Sequence, residues 1–142
     1  MSHSTTLETA TLLRRSMTRL MRRMRQGRGL GPGKLGVLSL LFRNGPMTPG
    51  ALAQAEGVQP QSLTRLLADI EAEGLASRRR DERDGRQSLM ALTEAGRVLL
   101  AADAAAKSAW LAEAMQEKLS ATECEILRLA AQLVDRLTEA AP

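Results

Sequence analysis

The chain has 142 residues, of which 44% are hydrophobic and 25% charged, the composition of one globular domain or of a domain with long accessory helices. Its Ala- and Leu-rich, aromatic-poor mix favours helix over sheet. A single cysteine, Cys124, excludes an intrachain disulfide, and no run reaches the roughly 18 apolar residues of a membrane span.

The N-terminus, MSHSTTLETA, lacks the basic-then-apolar pattern of a signal peptide, so a reducing cytoplasm is the expected location. The formal net charge of +4 is unevenly spread. Residues 1–92 carry 15 Lys/Arg against 8 Asp/Glu, whereas residues 93–142 carry 5 against 8. A basic first part points to a polyanionic partner, with an arginine-rich composition and no such partner as the plain alternative.

In chain order, Leu13, Met17, Leu20 and Met24 recur at spacings of 4, 3 and 4, which predicts an amphipathic helix from Leu7 to Met24. Its other faces carry Arg14, Arg15, Arg19, Arg22, Arg23 and Arg25, and the run GRGLGPG ends it. His3 is expected to lie in a frayed tail ahead of it. A second helix, roughly Lys34 to Arg43, is apolar through Val37, Leu38, Leu40 and Leu41 and stops at RNGP. In MTPGALAQAEG, Thr48 is a good N-cap, Pro49 suits the first helical position, and Gly57 closes a short third helix. A fourth runs from Pro60 to about Glu73, stopped by Gly74, although Gln59 stands where a better capping residue is expected.

Two extended segments follow, Leu75 to Arg80 and Gln87 to Leu92, joined by DERDGR. Asp84-Gly85 reads as a turn dipeptide, because Gly accepts a positive φ and Asp tolerates one. Thr93 caps a long fifth helix to about Leu119. SATE, Ser120 to Glu123, is a capping box that opens a sixth, where Ile126, Ala130, Leu133 and Leu137 repeat at 4, 3 and 4. Four helices, a hairpin and two helices, with the third and fourth joined around a glycine, make a mainly α winged helix-turn-helix. A lone hairpin is marginal in water, so it must pack on its neighbouring helices.

On a helical wheel of about 100° per residue, Leu63, Leu66, Leu67 and Ile70 share one face of the fourth helix. Gln61, Arg65, Ala68 and Asp69 lie opposite, with Ser62 on the flank. Gln61, Ser62 and Arg65, near the helix start, are side chains that reach base edges and phosphates in a major groove. A solvated polar face is the alternative. The hairpin adds Arg78, Arg79 and Arg80 on its first strand and Arg83 and Arg86 at its tip. A thin basic ribbon of this kind can follow the DNA backbone and place an arginine in the minor groove. Asp81 and Asp84 would repel phosphates. A turn-holding role suits them, with Gly85 completing the wing structure, since Asp accepts from nearby backbone N–H groups and can pair with an arginine.

Residues 48–96, TPGALAQAEGVQPQSLTRLLADIEAEGLASRRRDERDGRQSLMALTEAG, resemble the core of the MarR family of transcriptional regulators. The marks are the LTRLLADIEAEGL passage, the wing pattern met by Asp81, Arg83, Asp84 and Arg86, and the LTEAG opening of the fifth helix. KLSATECEILRLAAQLVDRL is similar to the family's closing helix, and the resemblance spans about residues 7–140. It implies a homodimer whose N- and C-terminal helices intertwine, with two half-sites of a palindromic duplex about one turn, ~34 Å, apart. The apolar stripes of the outer helices, with no other core to cover them, point the same way.

The domains expected are a dimerisation helix over 1–30, a winged helix-turn-helix over 31–93 with Thr48 near the DNA backbone, and dimerisation helices over 94–142. The resemblance further implies a small-molecule effector, since many members release DNA when an aromatic or phenolic compound enters a cleft between the two parts. Others sense oxidants through cysteine. Here the first helix has no cysteine, and nothing in the sequence near Cys124 would activate its thiol, which favours a structural thiol over a redox switch. There is no tyrosine; Trp110 could line a cleft or pack at the dimer base, and Phe42 supplies the other ring.

GPGKLG, Gly31 to Gly36, matches a dinucleotide-binding pattern in form, but it follows an arginine-rich helix rather than a strand and contains Pro32. As a phosphate loop it fails too, with Leu35 after Lys34 and Arg28 at the upstream glycine position, so it reads as a linker. No His/Cys/acid cluster has metal-ligand spacing and no serine or cysteine has a partner base, so no catalytic residue, metal or cofactor is expected. The expectation is a DNA-binding repressor released by an effector. The alternative from another class is a winged-helix module that docks an acidic protein.

Overall fold

The computed structural model describes residues 2–26 and 29–139. Among them run α1 (His3–Arg25), α2 (Pro32–Asn44), α3 (Pro49–Glu56), α4 (Pro60–Ala72), β1 (Ala76–Arg80), β2 (Ser88–Leu92), α5 (Glu94–Lys118) and α6 (Ala121–Thr138). The fold is the mainly helical winged helix-turn-helix that the pattern predicts. Contacts divide the chain into two units, Met1–Ala106 and Lys107–Pro142, and the division falls within α5.

Local chemistry sets most of the element ends. α1 starts earlier than Leu7, because the Ser2 side chain caps it by accepting from the Thr5 N–H at 3.4 Å. His3 is therefore helical, not frayed. α2 also starts early, at Pro32, whose missing N–H costs nothing in a first turn. GPGKLG is thus mostly the opening of α2 and not a linker. The Thr48 hydroxyl accepts from the Ala51 N–H at 3.1 Å, and Gly57 ends α3 in the left-handed region at φ 63°. Gly74, at φ 72°, donates to the Glu71 carbonyl at 2.9 Å while Leu75 donates to Ile70 at 3.0 Å, so α4 turns directly into β1.

One core lies within the first unit. It combines Val37, Leu38 and Leu41 of α2, Leu52 and Ala53 of α3, Leu63, Leu67 and Ile70 of α4, and Leu75, Ala76 and Met90 from the ribbon and its approach. Leu40 and Leu66 pack against its edge. The strands pair antiparallel with Ala76 opposite Leu92, Arg78 opposite Met90 and Arg80 opposite Ser88. Met47 adds a separate bridge to β2: its N–H donates to the Met90 carbonyl at 3.0 Å, and the Met90 N–H returns the bond at 2.8 Å. The ribbon is therefore tied to the connection between α2 and α3 as well as resting on the helices.

The LTEAG stretch anchors the start of α5. The Thr93 hydroxyl donates to the Gly74 carbonyl at 2.6 Å and accepts from the Gly96 N–H at 3.1 Å. A Cβ at Gly96 would come within 2.1 Å of the Leu75 carbonyl oxygen, so only glycine allows α5 this close to the ribbon's root. Further along, the buried Asp103 accepts the Leu30 N–H at 2.9 Å, which fastens the chain just before α2.

α1 and α6 contrast with this core, for neither contains a buried residue. Leu13, Met17, Leu20 and Met21 of α1 and Ile126, Leu129, Leu133 and Leu137 of α6 are exposed. α6 is nevertheless well started. The Ser120 side chain accepts from the Glu123 N–H at 3.2 Å, and the Glu123 carboxylate accepts from the Ser120 N–H at 2.8 Å. These bonds, the backbone one foremost, hold the Glu123 carboxyl below the usual carboxylate range. Cys124 beside it is a free, half-buried thiol.

Candidate nucleic-acid interface

α4 offers its polar face because its apolar one is consumed. Leu63, Leu67 and Ile70 are buried, which turns Gln61, Ser62, Arg65, Ala68 and Asp69 to the exterior. Gln61, Ser62 and Arg65 border one shallow recess. Gln59 makes no side-chain cap and Pro60 has no N–H, so the amides of Gln61 and Ser62 stay available to an acceptor such as a phosphate oxygen. The weak cap noted in the sequence thus leaves donors at the front of the helix. Thr48, half-buried, spends its hydroxyl as an acceptor in capping α3.

The second surface is the ribbon. Strand alternation puts Arg78 and Arg80 on the face shared with buried Met90, and Arg79 with Leu89 on the opposite face. The connecting loop, residues 81–87, is longer than a two-residue turn. The Asp81 carboxylate accepts the Arg83 N–H at 2.9 Å and the Asp84 carboxylate accepts the Arg86 N–H at 3.1 Å. The Asp81 N–H donates to the Gln87 carbonyl at 3.0 Å, and the Gln87 N–H donates to the Asp84 carbonyl at 2.9 Å. The turn read at Asp84-Gly85 is present, closed by the Gln87–Asp84 bond, but reversal is spread over these bonds and Gly85 does not take the positive φ expected of it.

The electrostatic consequence is direct. Residues 78–87 hold five arginines against Asp81, Glu82 and Asp84. The two aspartates direct carboxylate oxygens at the loop's own amides, while Arg83 and Arg86 remain exposed. Arg79, Arg80 and Gly85 are exposed as well. Arg78 differs, for its Nε donates to Glu71 of α4 at 2.6 Å. Sequence spacing gave no sign of that pair, since it joins two elements across a turn.

A regulator of known lineage fits this helix and ribbon. A MarR family model matches residues 28–87. An HTH-type transcriptional regulator of Mycobacterium bovis is 38% identical over 130 residues, covering 89% of this chain and 90% of its own length. The chain belongs to the MarR family. Among solved structures, a transcriptional regulator protein of Pseudomonas aeruginosa superposes with a TM-score of 0.84 at 30% identity, over 99% of this chain and 100% of that one. A MarR family protein of Bacillus stearothermophilus gives 0.72 at 25% identity, over 98% and 99%. The chain is thus a helix-turn-helix transcriptional regulator, a non-enzymatic class.

This MarR-family chain also has a cleft of about 560 Å³ between α2 and the first half of α5. Leu35, Phe42 and Leu100 make apolar walls, Arg43 and Arg97 supply cations, and Asp103 and Ser39 add polar atoms. The Arg97 guanidinium lies 5.9 Å from the Phe42 ring centre, a cation–π distance. Of the two rings weighed in the sequence, Phe42 borders this cleft; Trp110 is half-buried in the second unit. Among the described residues no group of His, Cys, Asp and Glu could hold a metal, and no helix is long and apolar enough to cross a membrane.

Proposed function

We propose that the protein is a homodimeric, sequence-specific repressor of cytoplasmic DNA that holds a palindromic operator until a small molecule releases it. The observation that carries the reading is the exposed Gln61, Ser62 and Arg65 face of α4, in the same unit as a ribbon whose two aspartate carboxylates are turned onto its own backbone. Gln61, Ser62 and Arg65 read the major groove. Arg83 and Arg86 enter the minor groove or grip its flanks, Arg79 and Arg80 follow the backbone, and Asp81, Asp84 and Gly85 shape the wing. Thr48 stands near the backbone at the start of α3.

Dimerisation over segments 1–30 and 94–142 is supported by the unburied apolar stripes of α1 and α6. The winged helix-turn-helix, 31–93, holds nearly all of the buried core. Release is supported by the α2–α5 cleft, whose apolar walls and paired arginines suit an aromatic compound with an anionic group. Occupying it would bear on α2, whose inner face packs against the recognition helix.

A palindromic duplex titrated between 50 and 200 mM salt tests DNA binding. With roughly six to ten phosphates neutralised per dimer, affinity falls about 10³- to 10⁵-fold. A flat response overturns the reading. Arg65→Ala relaxes preference at one base position per half-site at a cost of roughly 1–3 kcal/mol. A protein-docking module would show no base preference at all.

A further inference from the structure

We propose that Glu71 and Arg78 form a positioning clasp that sets the wing against the recognition helix, and that Arg78 does not contact phosphate. The inference rests on the reading that helix and wing engage one duplex. Arg78 Nε and Glu71 Oε1 are 2.6 Å apart, and both side chains are partly shielded, at 44% and 30% exposure. Arg78 lies on the ribbon face it shares with buried Met90, toward the body of the domain. Glu71 stands in the last turn of α4, and the chain between them is the tight Gly74 turn.

The remaining ties at the ribbon's root use the backbone or Thr93: the Gly74 turn, the Met47–Met90 rungs and the Thr93–Gly74 bond. Among the described residues, Glu71–Arg78 is the ion pair that joins α4 to β1 side chain to side chain. A hydrogen-bonded arginine holds a fixed direction, so the pair resists rotation of the ribbon about its root. Holding the wing in its bound orientation lowers the ordering cost when two surfaces must meet the duplex together. The carboxylate also neutralises Arg78 locally, unlike Arg79, Arg83 and Arg86.

The two roles for Arg78 predict opposite signs. If Arg78 were a masked phosphate ligand, Glu71→Gln would strengthen DNA binding by removing a repelling charge. If it positions the wing, Glu71→Gln weakens binding although a negative charge is lost. The experiment measures operator affinity of the full-length protein across a salt series for Glu71→Gln, Arg78→Gln, the double variant, and the swapped pair Glu71→Arg with Arg78→Glu. Thermal melts confirm that each variant folds.

Both single variants should bind roughly two- to tenfold more weakly, the scale of one partly exposed ion pair in each of two wings. The salt slope should match the parent, the double variant should be no worse than either single, and the swap should restore affinity. Discrimination between A·T-rich and G·C-rich flanks should fall while half-site preference persists, because the wing alone is loosened. Tighter or unchanged binding by Glu71→Gln overturns the proposal. So does a salt slope reduced by about 0.9 per contact in Arg78→Gln. Arg83→Gln runs alongside: if it is silent, the wing reading falls and takes the clasp with it. If it flattens the slope while Glu71→Gln tightens binding, the clasp alone is wrong.

Discussion

Leu67 and Leu133 are both leucines on the apolar stripe of an amphipathic helix, yet one is 1% exposed and the other 57%. Leu67 meets α2, α3 and the ribbon in a core closed within one chain. Leu133 lies on α6, which buries nothing. The same periodicity thus serves two ends: one stripe completes a domain, and the other waits for a surface the single chain does not supply. A domain that reads DNA must keep its geometry by itself, whereas outer helices with open stripes suit assembly.

The largest test of that contrast is Leu133→Asp. It should dissociate the proposed dimer to its 15.4 kDa chain in sedimentation and weaken operator binding roughly 10²- to 10⁴-fold through lost bivalency. An unchanged mass would erase the distinction. Leu67→Ala should instead cost about 2–5 kcal/mol of stability in a denaturant melt, from lost burial plus the cavity left behind. If the proposed dimer forms, any loss in Leu133→Asp should depend on protein concentration, and the local cost of Leu67→Ala should not.

A finer test uses two helical glycines. Glycine to alanine usually favours a helix by roughly 0.5–1 kcal/mol. Gly50→Ala, facing open space in α3, should be neutral or stabilising. Gly96→Ala should destabilise by about 1–3 kcal/mol, because its methyl would strike the Leu75 carbonyl. Paired thermal melts check the sign, and equal shifts would mean that α5 can move off the ribbon freely.

The smallest effect concerns the α6 cap. The folded Glu123 carboxyl is held below its ordinary value, so its contribution is present above about pH 4.3 and fades as pH falls through the folded value. Glu123→Gln should remove that part of the acid sensitivity, and Ser120→Ala should cost about 1 kcal/mol at neutral pH. Melts at pH 7 and at acid pH decide both.

What lies near in the chain was legible from residue order. Caps, glycine stops and hydrophobic periods act within a few residues. They placed the exposed polar face of α4, the Thr48 cap and the Ser120–Glu123 box, and they marked out the basic wing. Even there, the Asp84-Gly85 dipeptide misled about mechanism, since two aspartate-held turns share a reversal that needs no left-handed glycine.

Tertiary structure alone decided the rest. The Met47–Met90 rungs, the Asp103 bond to Leu30, the carbonyl that demands Gly96 and the ion pair that occupies Arg78 each join residues from different elements. Sequence separation carries no distance until the core has closed. For that reason, residue order determined that five arginines crowd the hairpin, while packing decided which of them is already engaged.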